Sequence, residues 1–117
     1  MSGIPAGKGE STTAPELDSI VRSIVRYRKP ARILLFGSRA RRDARPDSDI
    51  DICVLFDALP KRQLEVLQDL YRELYDTDAG PVDLLVYDEA AFRDRANRPH
   101  SFEAKILDEG ISIYGQA

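Results

Sequence analysis

The sequence predicts an α/β (α+β) protein, a sheet of about four strands flanked by helices, and three observations carry that prediction. Four short apolar runs, RILLF, DIDICVLF, VDLLVY and ISIY, read as strands. Amphipathic stretches with helical spacing separate most of them, the alternation expected of strands covered by helices. The chain has 117 residues, the size of one domain with one core.

Residues 1–14 are rich in Gly, Ser, Thr, Pro and Ala, bury too little apolar surface to offset ordering, and are expected to form a disordered tail. GIPAGKG within it resembles part of a Walker loop. Its glycine spacing is one residue short, Gly9 stands where Ser or Thr should be, and no strand precedes it, so that reading is rejected. The folded domain is then 15–117. Thr13 and Glu16 offer a capping box to a helix carrying Leu17, Ile20, Val21, Ile24 and Val25, which ends before Pro30.

Arg32 to Phe36 is a short apolar run stopped by Gly37, as in a buried strand. Asp49 to Phe56 alternates, placing Ile50, Ile52, Val54 and Phe56 on one side. Lys61 to Asp76 reads as a helix with Leu64, Leu67, Leu70, Tyr71 and Leu74 on its core face, broken before the strand Val82 to Tyr87. Asp88 is a cap for a short helix through Phe92. A further helix follows Pro99, with Phe102 and Ile106 facing inward and Gly110 as its stop, and Ile111 to Tyr114 is the last strand.

Seventeen Lys plus Arg against twenty Asp plus Glu give a net charge of −3, a poor footprint for long nucleic acid. Phosphate recognition would have to be local. The single cysteine, Cys53, excludes an internal disulfide framework and reads as a small buried apolar group. No apolar run approaches a membrane span and no leader pattern opens the chain, so a cytoplasmic location is expected.

The chemistry concentrates between Gly37 and Asp83. Residues i and i+2 of a strand share a face, so Asp49 and Asp51 project side by side while Ile50 points into the core. Paired carboxylates repel unless a cation lies between them, and oxygen-only ligands favour hard ions such as Mg²⁺. Asp83 sits in the same alternation on the third strand, opposite in direction to Val82, Leu84 and Val86. If the two strands are neighbours, three carboxylates meet, enough for two metals that clamp an in-line phosphoryl displacement. Gly37 permits close approach of a phosphate to backbone, Ser38 adds a hydroxyl, and Arg39 is the best placed of the arginines to contact a nucleotide. Arg41, Arg42 and Arg45 read as solvated or partner-facing, and His100 has no second histidine to join in a site.

These parts resemble the minimal nucleotidyltransferase family of the DNA polymerase β superfamily, whose signature is Gly-Ser, ten residues, then Asp-x-Asp. Here it reads Gly37-Ser38, Arg39 to Ser48, Asp49-Ile50-Asp51, followed in family order by Val82-Asp83-Leu84 and by Glu109-Gly110 before an apolar strand. Arg42 stands where the family often has a glycine. The resemblance implies a nucleotidyltransferase fold with a mixed sheet, two Mg²⁺ ions held by Asp49, Asp51 and Asp83 when nucleotide is bound, and nucleotide contacts from Gly37, Ser38, Arg39 and Ser48. It also implies transfer of AMP from ATP to a hydroxyl, and a place as the antitoxin of a toxin–antitoxin pair. The partner would be a HEPN-class toxin and the acceptor its tyrosine. Two other readings stay open: an inactive antitoxin that works by binding, and nucleotidyl transfer to a small molecule. Homo- or hetero-oligomers are compatible with all three.

Overall fold

The computed structural model describes residues 15–42, 49–77 and 80–115. The tail 1–14, Arg45, Ser48 and the capping residue Thr13 lie outside the described residues. In chain order the elements are α1 (Pro15–Tyr27), β1 (Arg32–Phe36), α2 (Ser38–Arg41), β2 (Ile50–Phe56), α3 (Gln63–Leu74), β3 (Val82–Asp88), α4 (Glu89–Ala96), α5 (Phe102–Glu109) and β4 (Ile111–Gly115).

The four strands form one mixed sheet in the order β3-β2-β1-β4. β1 pairs antiparallel with both β2 and β4, whereas β2 and β3 are parallel, joined through α3 as a strand–helix–strand unit. The alternation of β2 decides the layers. Ile50, Ile52, Val54 and Phe56 pack with Leu17, Ile20 and Ile24 of α1 and with Val66, Leu70 and Leu74 of α3. Cys53 and Leu55 point the other way and join Leu34, Phe92 of α4 and Ile106 of α5. The result is a sheet covered on both faces, with a two-sided core.

Side-chain caps open α4 and α5, Asp88 as the sequence places it and Ser101 in addition. The Asp88 carboxylate accepts from the amides of Ala90 and Ala91 at 3.0 and 3.4 Å, and the Ser101 hydroxyl accepts from Ala104 at 3.0 Å. α5 ends at Gly110, where the backbone turns extended while its amide still donates to the Ile106 carbonyl, and a Cβ there would lie 2.5 Å from that same oxygen.

Three core assignments are corrected. Leu64 is 62% exposed, Phe102 54% and Tyr71 41%. The buried stripe of α3 keeps the expected Leu70 and Leu74 and completes it with Val66, two residues out of phase with Leu64. The cause is the position of α3 beside an edge strand. Its flank overhangs β3, where the Tyr71 hydroxyl accepts from the Leu84 amide at 2.9 Å and the Gln63 amide donates to the Val86 carbonyl. Those bonds occupy backbone groups that an edge strand would otherwise offer to another chain. Phe102 sits at the start of α5, above the open end of the sheet, and packs edge-on against Phe36.

Candidate active site

The polar end of the sheet lies on the α4/α5 face. Asp51 has the same parity as Cys53 and Leu55, so its carboxylate shares their side of the sheet, one step beyond the buried rows. Register places Asp83 directly beside it on β3, and Phe36 directly beside it on β1. The row therefore reads Asp83, Asp51, Phe36 across three neighbouring strands, each about 4.8 Å from the next. The row above it, Leu85, Cys53 and Leu34, is apolar. Asp49 precedes β2; it and Asp83 are exposed, while Asp51 is half-buried.

Electrostatics tie the three acids together. Burial pushes the Asp51 carboxyl above its ordinary value, the charges of Asp83 and Asp49 push it further, and Arg41 opposes them. Among the described residues no three acidic, His or Cys side chains are already gathered into a metal cage. The donor set nevertheless fits a hard divalent cation: carboxylates only, two of them side by side by register.

Gly37 is the other half of the site. Its φ of 75° lies in the left-handed region, and a Cβ there would fall 2.1 Å from the Asp51 Oδ2. A side chain at this position would have to displace the very carboxylate that would hold metal. Ser38 opens the single turn α2 next to it, and Arg39 is half-buried on the same turn. Arg41 makes an ion pair of 3.6 Å with Glu109 of α5. Arg42 closes α2 at φ 65°, also left-handed, which is a physical reason for a glycine at that position.

Cys53 is fully buried, and burial pushes its thiol up to about 12, as befits an inert core residue. His100 is exposed on the turn before α5, at φ 64°. Sequence reasoning missed the hollow beside Gly37, lined by Phe36, Arg41, Phe102 and Lys105. Its signal was present: Phe102, Lys105 and Glu109 fall at i, i+3 and i+7, one face of α5.

A mixed sheet carrying a Gly-Ser turn beside paired acids defines the class. The polymerase β nucleotidyltransferase model matches residues 18–117, and the chain belongs to that family. Solved structures share the fold. A Sulfolobus solfataricus protein described as a candidate nucleotidyltransferase superimposes with a TM-score of 0.62 at 24% identity, over 97% of this chain and 94% of its own. A substituted form of the toxin–antitoxin complex MntA–HpeT contains a chain with a TM-score of 0.52 at 20% identity, and a toxin–antitoxin complex with AMP-PNP gives 0.51 at 24%. Each of these two matches covers 88% of this chain and 75% of the other. No curated protein matches the chain. Among the described residues no helix is long and apolar enough to cross a membrane.

Proposed function

We propose that the chain moves AMP from ATP onto a hydroxyl of a partner protein, a tyrosine of a HEPN-class toxin, and thereby acts as its antitoxin. The observation that carries the reading is the pairing of Asp51 with Asp83 on adjacent strands, against a Gly37 that has no room for a side chain. The likeness to chains of toxin–antitoxin complexes, one holding AMP-PNP, supports the choice of partner and donor.

Asp49, Asp51 and Asp83 would hold two Mg²⁺ ions together with the nucleotide. Those ions, when bound, neutralise the phosphates and the acids. The Gly37-Ser38 turn and Arg39 hold the polyphosphate, and Ser48 adds a contact. Asp83, exposed at the edge of the sheet, takes the proton of the acceptor hydroxyl as its oxygen bonds to the α-phosphorus. The bond from that phosphorus to the bridging oxygen breaks, and pyrophosphate leaves with the electron pair.

The test incubates the protein and its co-encoded neighbour with Mg²⁺ and ATP and reads intact mass, beside a D49A/D51A variant. A gain of nucleotide monophosphate on the neighbour that the variant fails to produce is expected. No gain with either form, alongside a tight complex with both, would refute transfer and leave an antitoxin that works by contact.

A further inference from the structure

We infer that the hollow between Phe36 and α5 seats the nucleobase of the donor nucleotide; this rests on the reading of the site given above. The hollow measures about 120 Å³, room for one flat ring system and too little for a helix or strand of a partner.

Its position relative to the acids selects the occupant. Gly37 forms part of its wall and is also the residue against which the Asp51 carboxylate rests. A nucleotide whose phosphates lie at Asp51 and the Gly37-Ser38 turn thus has its remaining groups within reach of the hollow. Asp83 flanks Asp51 on the opposite side, since the row runs Asp83, Asp51, Phe36. An acceptor whose proton goes to Asp83 approaches from that side. The hollow is left to the donor.

The lining suits a base. Phe102 meets Phe36 edge to face, with ring centroids 6.2 Å apart and planes at 83°, which fixes its orientation. More than half of the residue stays open, an aromatic surface on which a base of any identity can stack. Lys105 supplies a donor at the rim, and the Arg41–Glu109 pair closes one end.

The experiment measures binding of ATP and of inorganic triphosphate, each with Mg²⁺, by calorimetry on the wild type, Phe102→Ala and Phe102→Trp, with thermal unfolding recorded for all three. Stacking of one base on one ring predicts that Phe102→Ala weakens ATP roughly 5- to 150-fold, that triphosphate binding is unchanged, and that Phe102→Trp restores ATP. Equal ATP affinity in the wild type and Phe102→Ala would overturn the assignment and leave the proposed activity standing. Loss of transfer to the neighbour without loss of ATP affinity would overturn it too, in favour of an acceptor ring. Parallel weakening of ATP and triphosphate would make Phe102 a structural residue and overturn it as well. Failure of the wild type to bind Mg²⁺-ATP at all would remove the nucleotide reading itself, and the base seat with it.

Discussion

Gly37→Ala couples the fold to the site. Two costs arise. An alanine at φ 75° and ψ −156° occupies backbone space reserved for glycine, at about 1–3 kcal/mol. Its Cβ also lands 2.1 Å from the Asp51 Oδ2, and overpacking of that kind costs about 1–3 kcal/mol through the shifts it forces. A carboxylate at the end of a side chain can be displaced, so Asp51 should rotate away, which relieves part of the second cost and adds a loss of function. Thermal unfolding should therefore fall by ~4–24 °C, at ~4–8 °C per kcal/mol for a domain of about this size. Metal-dependent transfer should fall to the level of Asp51→Asn. The double variant Gly37→Ala/Asp51→Ala separates the terms, because removing the carboxylate abolishes the clash and leaves the backbone strain. A coupling of about 0.5–3 kcal/mol is expected between the two positions. Strict additivity, or a Gly37→Ala protein with wild-type transfer, would refute the argument.

Asp51→Asn should raise the unfolding temperature of the metal-free protein at neutral pH. A carboxyl whose value is raised on folding favours the protonated native state. Native stability is therefore lost as pH rises from the ordinary carboxylate range through the raised value, and the variant removes that loss, which titration of the unfolding midpoint against pH will show. Asp69 has the opposite sign. It accepts from Lys61 at 2.7 Å, Tyr27 at 2.9 Å and Arg72 at 3.0 Å, which hold its carboxyl below the usual range. Its contribution is full above that range and disappears as pH falls through the lowered value, so the midpoint gap between wild type and Asp69→Asn should close in acid. Arg42→Gly relieves a left-handed conformation worth about 1–2 kcal/mol, less about 0.4–1 kcal/mol for the looser unfolded chain. Denaturant titration should find a net gain of at most about 1.6 kcal/mol.

The strands and the acids were legible because a period of two fixes which side each residue takes. Ile50, Ile52, Val54 and Phe56 in the core require Asp51 to face away, and the register of two parallel strands then brings Asp83 to it. Helix faces were less legible. The stripe through Leu64 and Tyr71 has helical spacing, yet the centre of the buried face is set by where α3 sits relative to the sheet edge, which no local pattern encodes. Phe102 shares its i+4 spacing with buried Ile106 but lies past the last covered row of the sheet. The reason for Gly37 was also hidden. Flexibility near a phosphate explains any glycine in such a turn, whereas contact with Asp51 comes from pairing β1 with β2.

Nucleotidyl transfer through the acid row fixes which phosphorus moves. ATP labelled at either the α- or the γ-phosphorus is supplied with Mg²⁺ to the protein and its co-encoded neighbour, using wild type and Asp51→Asn. With the wild type, α-label should appear on the neighbour and γ-label in pyrophosphate, and neither should occur with Asp51→Asn. Gamma-label on the neighbour, or α-label that persists in Asp51→Asn, would contradict it.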